Sequence, residues 1–240
     1  MRRLSILIHG FSGVGKTPLA NTAPGPRLMI DSEGGYQWLR TPVVMWDPRT
    51  DPALLEINED TTVVVRANDL EPINQCLSWL VKGAHPFRSV IIDSLTELQE
   101  KAKKSINTGP FEQRDWGLLL ERLNNLILVF KELTENKVKP VDCVVLTAGS
   151  FISDKTGKVS PYVQGGLALK LPYKVAVLAH LARSDEDKPY MVIKPVGGIE
   201  GKDRTGYLQE TYGPTIKAGE SNKLDLSELL KVVNKGEIDG

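Results

Sequence analysis

The sequence predicts an α/β fold, in which a mostly parallel, twisted sheet is covered by helices on both faces and ends in a C-terminal antiparallel strand pair. Two observations predict it. Short apolar runs, each the length of a buried strand, alternate with longer segments whose apolar residues recur at helical spacing. Polar or glycine-containing turns follow several of these runs, as is typical of the ends of strands in a parallel sheet.

The strands are predicted from their apolar or β-branched character. Residues 4–8 form the first run, which ends at a glycine-rich turn. Further strands are expected at residues 27–30, 61–65, 89–92 and 141–146. Residues 175–180 and 190–193 are expected to form the late antiparallel pair, and residues 150–166 to form a loop without regular structure.

The helices are predicted from spacing and from their end residues. The first helix should begin near Lys16, with Pro18 in the first turn, where a missing N–H costs little. Asp69 is expected to be the N-cap of the second helix. Later helices are expected through residues 95–98, over residues 115–133, and in the tail over residues 224–233.

Composition limits the function classes. The chain has 240 residues, with 30 basic and 30 acidic side chains. This balance excludes histone-like binding of nucleic acid, so a nucleic acid would need a local basic patch. No apolar run approaches the roughly 18 residues of a membrane-spanning helix, so we expect a cytoplasmic protein without a membrane partner. The two cysteines and three histidines lack metal-ligand spacing.

Residues 10–17 read G-F-S-G-V-G-K-T and match the phosphate-loop pattern G-x-x-x-x-G-K-[ST] in full. The glycines let backbone N–H groups curve around an anion. Lys16 is expected to meet the β- and γ-phosphates of ATP, and the Thr17 hydroxyl to ligate Mg²⁺. The nucleotide-binding residues predicted in this loop are Gly10, Phe11, Ser12, Gly13, Val14, Gly15, Lys16 and Thr17.

A phosphate loop also predicts an acid at the end of a neighbouring buried strand. Asp93 ends the run at residues 90–92, so we expect it to bind Mg²⁺ together with Thr17, through water. Many ring-forming ATPases carry their water-activating glutamate at the next position, which is Ser94 here. Glu33, at the end of the second strand, is the predicted general base, although its spacing equally fits a solvated turn carboxylate. Glu97 is the reserve candidate.

Three of these segments together resemble the RecA-like ATPases: residues 10–17, the turn at residues 30–33 and the strand end at residues 91–94. In that family the glutamate after the second strand activates water, which supports Glu33. Residues 164–170 resemble the end of the second DNA-binding loop and its helix. The resemblance covers residues 4–206, and it implies a single RecA-like ATPase domain over residues 1–240 with a tail at 207–240.

Residues 201–206, G-K-D-R-T-G, resemble the K-x-R element that reaches the nucleotide of a neighbouring subunit. The resemblance therefore implies catalytic roles for Lys202 and Arg204 in trans, in a homo-oligomer with ATP at its subunit interfaces. The core-only RecA-like ATPases of bacteriophages, often labelled AAA-family, are the most similar group, which would place the protein in the host cytoplasm. Some of them act as single-strand annealing recombinases.

The sequence departs from the family at one functional position. RecA-type enzymes usually carry a glutamine that senses the γ-phosphate after the strand at residues 141–146. Here Thr147 to Ser150 occupy that place. Thr147 or Ser150 is expected to act as a shorter donor, and Thr147 is counted among the nucleotide-binding residues.

The stretch at residues 150–174 carries four lysines and one aspartate, with Phe151 and Tyr162 interleaved among the lysines. Aromatic rings can stack on bases while lysines contact phosphates. The same composition fits a surface hairpin whose aromatic rings pack onto the domain. The predicted DNA-binding residues are Phe151, Lys155, Lys158 and Tyr162.

Three function classes remain open from the sequence. The first is a Mg²⁺-dependent ATPase acting on single-stranded DNA in phage-type recombination, annealing or repair, with a single-strand DNA-binding protein as a further candidate partner. The second is a small-molecule or nucleotide kinase, which usually needs an arginine-rich lid, whereas Arg183 and Arg204 are isolated. The third is a non-hydrolysing partner subunit in which nucleotide is only a structural ligand.

Overall fold

The computed structural model describes residues 1–163, 166–219 and 222–235. Its strands are Leu4–His9 (β1), Arg27–Asp31 (β2), Val43–Met45 (β3), Thr62–Arg66 (β4), Ser89–Asp93 (β5), Cys143–Ala148 (β6), Ser150–Ile152 (β7), Val159–Pro161 (β8), Val177–Arg183 (β9), Pro189–Val192 (β10), Lys202–Asp203 (β11) and Thr215–Lys217 (β12). Its helices are Lys16–Ala20 (α1), Glu71–Val81 (α2), Leu95–Ile106 (α3), Gln113–Glu132 (α4), Gly166–Lys174 (α5), Tyr207–Tyr212 (α6) and Leu226–Lys235 (α7).

Ten of the described strands form one sheet in the order β12-β10-β9-β1-β6-β5-β2-β4-β3, with β11 paired to β9. The strands from β9 to β3 in this order are parallel. Strands β10, β11 and β12 join by antiparallel pairing. The predicted α/β fold, with a mostly parallel sheet and a late antiparallel strand pair, is confirmed.

The hydrophobic core has two parts, one on each face of the sheet. Leu7 belongs to the cluster packed under α2, α3, α4 and α5. Its neighbours Ile6 and Ile8 belong to the cluster packed under α1, α6 and α7. This alternation follows from the two-residue period of a strand. Because helices cover both faces of the sheet, the ends of its parallel strands are the places where functional side chains can gather.

Several boundaries differ from the prediction. Asp69 is not the N-cap of α2, which is Leu70; the Asp69 carboxylate nevertheless accepts the Glu71 N–H at 2.8 Å. Strands β3 and β12 and helix α6 were not predicted, because three to six residues are too few to show a period. No helix in the described ranges has the length and apolar character needed to cross a bilayer. Both cysteines are buried, and burial raises the pKa of each thiol to about 12.

The prediction of an irregular loop at residues 150–166 was wrong. Strands β7 and β8 form an antiparallel hairpin in which Phe151 pairs with Ser160. The turn closes where Gly157, at φ +65°, donates its N–H to the Ser153 carbonyl oxygen at 2.7 Å. Three pairs of residues make too short a ladder to show an alternating pattern. Gln164 and Gly165, at the predicted end of the DNA-binding loop, lie outside the described residues, and α5 begins directly after them.

Candidate nucleotide-binding site

The loop between β1 and α1 has the backbone that a phosphate site requires. Gly13 and Gly15 have φ values of +79° and +101°, which side chains with a Cβ rarely adopt. Gly10 is required for a different reason, because a Cβ there would lie 2.5 Å from the Leu181 carbonyl oxygen. Successive backbone N–H groups in such a turn form a concave site for an anion.

Lys16 is the cation of this loop. Its Nζ donates to the carbonyl oxygens of Gly10 and Phe11, each at 3.0 Å. Burial lowers the pKa of Lys16, while the nearby carboxylates of Glu33 and Asp93 raise it. The ammonium therefore lies inside the loop and close to acidic side chains at the ends of β2 and β5.

Asp93, at the end of β5, is held by two hydroxyl groups. Thr17 Oγ1 donates to Asp93 Oδ2 at 2.6 Å, and Thr147 Oγ1 donates to Asp93 Oδ1 at 2.5 Å. Burial raises the pKa of Asp93; the two hydrogen bonds lower it, and the neighbouring acids Glu33 and Asp31 raise it again. The structure thus brings Thr17 and Asp93 together, and it places Thr147, at the end of β6, against the same carboxylate.

Gly35 keeps space open beside this pair. A Cβ on Gly35 would lie 3.0 Å from Thr17 Oγ1 and 3.2 Å from Asp93 Oδ2. Hydroxyl and carboxylate oxygens are the ligands that Mg²⁺ prefers, with water and phosphate oxygens completing its octahedral shell. The residues present therefore fit a magnesium–triphosphate group, in which Thr17 and Asp93 would hold the metal. Nothing in the sequence distinguishes Gly35 beyond its place in a turn.

The turn after β2 is shaped by buried Asp31. Its carboxylate accepts the N–H groups of Gly34 at 2.8 Å and Gly35 at 3.0 Å, and it forms an ion pair with Arg66 at 2.5 Å. Burial raises the pKa of Asp31, opposed by these hydrogen bonds and by the Arg66 charge. Asp31 therefore fixes the course of the turn that carries Glu33. Arg66, at the end of β4, was not identified from the sequence.

Glu33 is exposed at this turn, and Ser94 orients it. Ser94 Oγ donates a short hydrogen bond to Glu33 Oε1 and accepts the Glu97 N–H at 3.3 Å. Lys101 Nζ donates to the carbonyl oxygens of Ser32 at 2.6 Å and Ala67 at 2.8 Å, and so ties the turn to the end of β4. The serine that stands where other ATPases carry a glutamate thus holds a glutamate from the neighbouring strand. The sequence did not reveal this role.

A comparison with protein families identifies the domain. A family model described as an AAA domain matches residues 2–213. The chain belongs to this AAA domain family. It is an AAA-type P-loop ATPase domain, and the family supports nucleotide binding and ATPase activity in general. Among curated proteins no match is found.

Lys202 and Arg204 of this AAA domain lie away from its own phosphate loop. Lys202 Nζ donates to the carbonyl oxygens of Pro172 and, at 2.7 Å, of Val175, so it satisfies the C-terminal end of α5. Arg204 is exposed and donates to the Tyr173 carbonyl oxygen at 3.1 Å. Strand β11 pairs antiparallel with β9 and places both residues at the amino end of β9, whereas the phosphate loop follows the carboxyl end of β1. Their role in trans stays a prediction.

The four predicted DNA-binding residues lie on or beside the β7–β8 hairpin. The rings of Phe151 and Tyr162 are 6.2 Å apart and are 36% and 47% exposed. Lys155 and Lys158 are exposed at the turn end of the hairpin. Lys174, the last lysine of the same basic stretch, lies instead at the end of α5. Burial lowers its pKa there, and the charges of Lys170 and Lys131 lower it further. The structure thus separates the basic stretch into two surfaces.

Replacing Thr147 with valine is expected to lower the stability of the protein and to weaken the Mg²⁺-dependent binding of ATP. The change keeps the shape of the side chain but removes the hydroxyl that donates to Asp93 Oδ1. We expect the free energy of unfolding to fall by about 1–3 kcal/mol, and Mg²⁺-dependent binding of ATP to weaken. Urea unfolding and Mg²⁺ titrations of nucleotide binding measure the two effects.

Thr62→Val is the matched control, because buried Thr62 donates to Asn21 Oδ1 at 2.7 Å and does not contact Asp93. It should lose similar stability without a change in the Mg²⁺ requirement. Equal Mg²⁺ dependence in both variants would contradict a metal role for the Thr147–Asp93 contact.

Proposed function

We propose that this AAA domain is a Mg²⁺-dependent ATPase that acts on single-stranded DNA in phage-type recombination, annealing or repair. The observation that carries the hydrolytic part is the convergence of four side chains from the carboxyl ends of three parallel strands. Lys16 and Thr17 come from the loop after β1, Glu33 from the turn after β2, and Asp93 from the end of β5. Parallel strands bring such groups to one crevice.

The side chains of this site have separate roles in hydrolysis. The loop N–H groups and Lys16 bind and orient the phosphates, and bound Mg²⁺ would neutralise charge on their oxygens. Ser94 holds Glu33 Oε1, which leaves Oε2 to accept a proton from an attacking water. Thr147 holds Asp93 in place. Each contact fixes a group before the reaction, which is how positioning contributes to rate.

The β7–β8 hairpin supports single-stranded DNA as the partner. Two neighbouring, partly exposed rings offer stacking surfaces, worth roughly 1–3 kcal/mol per base, beside two exposed lysines. A chain without net charge needs such a local site to bind a polyanion.

The position of Lys202 and Arg204 supports a homo-oligomer with ATP at its subunit interfaces. Lys202 lies level with Leu7 of β1, Arg204 lies nearer the amino ends of the strands, and both side chains bond to the C-terminal end of α5. This direction, away from their own phosphate loop, suits contact with a nucleotide in another copy, in a head-to-tail contact that generates a ring or a filament. Arg204, whose exposed side chain donates to the Tyr173 carbonyl oxygen, is the better suited to bind phosphate.

The proposed function is tested by measuring ATP hydrolysis by the purified protein with and without single-stranded DNA, over a range of protein concentrations. We expect Mg²⁺-dependent hydrolysis that DNA stimulates and whose specific rate rises with protein concentration. A rate that DNA does not change would contradict the DNA partner. Transfer of phosphate to a nucleoside monophosphate would instead favour a kinase, and binding without turnover a partner subunit.

Changing Lys155 and Lys158 together to glutamate is expected to weaken DNA binding. Each lost phosphate contact should reduce the slope of log affinity against log salt by about 0.7 for a single strand. Fluorescence anisotropy with a labelled oligonucleotide at several salt concentrations measures both quantities. The control changes the same number of charges on β12 and α7, by Lys217→Glu with Lys231→Glu. Equal effects of the two double variants would remove the hairpin from the DNA site.

A further inference from the structure

His9 connects the phosphate loop to two other segments. It is the last residue of β1, directly before Gly10, and its side chain is fully buried. Its Nδ1 lies 2.8 Å from Ser150 Oγ, and its Nε2 lies 3.3 Å from the Glu200 carbonyl oxygen. One imidazole therefore bridges the start of the β7–β8 hairpin and the segment that leads into β11.

The chemistry of the two partners fixes the state of this ring. A carbonyl oxygen can only accept, so Nε2 carries the hydrogen and Nδ1 accepts from the Ser150 hydroxyl. Burial lowers the pKa of His9 to about 3, and the neighbouring His180 and Lys16 contribute to the shift. At neutral pH the ring is uncharged, with Nδ1 directed to the Ser150 hydroxyl and Nε2 to the Glu200 carbonyl oxygen.

His180 gives the loop a second contact with the same cluster. It lies opposite His9 on β9, and its Nδ1 is 3.4 Å from both Ser150 Oγ and His9 Nδ1. The Phe11 ring of the phosphate loop meets the His180 ring edge-on, with centroids 6.1 Å apart. The Ser150 hydroxyl is therefore held between two histidines that both touch the loop.

Both partners of His9 continue into segments with proposed functions. Ser150 opens β7 and precedes Phe151, at the proposed DNA surface. Glu200 donates its N–H to the Val159 carbonyl oxygen on β8 at 3.0 Å, and it lies two residues before Lys202. The hairpin and the segment that leads to Arg204 thus meet at one buried ring.

Nucleotide binding would act on the residues beside that ring. Lys16 donates to the carbonyl oxygens of Gly10 and Phe11, the two residues after His9. A triphosphate competes for this ammonium, because charged acceptors form stronger hydrogen bonds than carbonyl groups. The backbone next to His9 therefore has different partners in the free and the nucleotide-bound protein. Such a difference in contacts is what allows nucleotide binding to change the conformation of neighbouring segments.

We infer that His9 is a positioning residue that couples the phosphate loop to the β7–β8 hairpin through Ser150, and to the segment at residues 196–204 through the Glu200 carbonyl. The inference rests on the proposed function, since it requires nucleotide at the loop. It assigns a role to a buried histidine pair that hydrolysis itself does not use.

Hydrogen–deuterium exchange, with and without a non-hydrolysable ATP analogue and Mg²⁺, tests the two branches separately. In the wild-type protein the analogue should change exchange in residues 10–17, in the hairpin and in residues 196–204. Ser150→Ala should weaken the response of the hairpin much more than that of residues 196–204, because the bond from His9 to Glu200 remains and reaches the hairpin only through Val159. Ser153→Ala, on the same hairpin but outside the cluster, is the matched control and should respond like the wild type.

Steady-state kinetics supply a second test, because a purely structural role of Ser150 would not change the stimulation of kcat by DNA. Ser150→Ala should reduce the stimulation of kcat by single-stranded DNA by about fivefold or more, with a small change in the KM for ATP. An unchanged hairpin response in Ser150→Ala, or an equal loss in Ser153→Ala, would overturn the inference. A wild-type protein whose residues 10–17 ignore the analogue would instead overturn the proposed function.

Discussion

Replacing Lys16 with alanine is expected to lower ATP turnover by about 100- to 1,000-fold, the usual cost of losing one preorganised charge-stabilising donor. The Lys16 ammonium lies inside the phosphate loop and near the carboxylates of Glu33 and Asp93. Without it, the negative charge of the phosphates would face those acids uncompensated. Nucleotide binding, measured with a fluorescent ATP analogue, should weaken together with turnover.

Two controls separate this effect from misfolding. Lys16 also bonds two carbonyl oxygens of its own loop, so thermal unfolding of the variant must be compared with that of the wild type. Lys231→Ala removes the same charge from the exposed face of α7, where the side chain pairs with Glu228, and should leave turnover unchanged. Full ATPase activity in a folded Lys16→Ala protein would refute the phosphate-loop assignment.

Replacing Glu33 with glutamine is expected to lower turnover by about 100- to 10,000-fold, the range usual for a general base. The amide can still accept the Ser94 hydroxyl hydrogen bond through its oxygen, so the side chain should keep its position. It cannot accept a proton from water. ATP binding should persist, so a single-turnover assay should show bound but unhydrolysed ATP.

The variant Glu97→Gln distinguishes between the two candidates for the general base, Glu33 and Glu97. Glu97 lies on the first turn of α3, and its backbone N–H is bonded by the same Ser94 hydroxyl that holds Glu33. Glu97→Gln should therefore leave hydrolysis close to the wild-type rate. The reverse result, with Glu97→Gln inactive and Glu33→Gln active, would transfer the role of base to α3. Normal turnover in both variants would favour a base supplied by another side chain.

Local signals explain what could be predicted of the site. The phosphate loop was found because its glycines, lysine and threonine must occur at fixed spacing to perform their separate tasks. Asp93 was found because a buried strand ends there, and Glu33 because a second strand ends nearby in a parallel sheet.

Contacts between distant residues explain what could not be predicted. The roles of Ser94, Thr147 and Gly35 arise only where β2, β5 and β6 meet α1. The sequence predicts Thr147 only as a donor to nucleotide, marks Ser94 only as the place of an absent glutamate, and shows Gly35 as an ordinary turn residue. The β7–β8 hairpin could be offered only as an alternative to an irregular loop, because its ladder is short and its remaining contacts come from residues 196–200, far along the chain.

The sequence by itself determined the alternating α/β architecture and the phosphate-binding loop, since both depend on residue types at short, fixed separations. Only the tertiary structure decided which groups hold Asp93 and Glu33, and that the side chains of Lys202 and Arg204 bond to the C-terminal end of α5. It also decided that His9 joins three segments. The physical reason is that hydrogen bonds act over about 3 Å, and only folding brings residues such as His9 and Glu200, which are 191 positions apart, close to that distance.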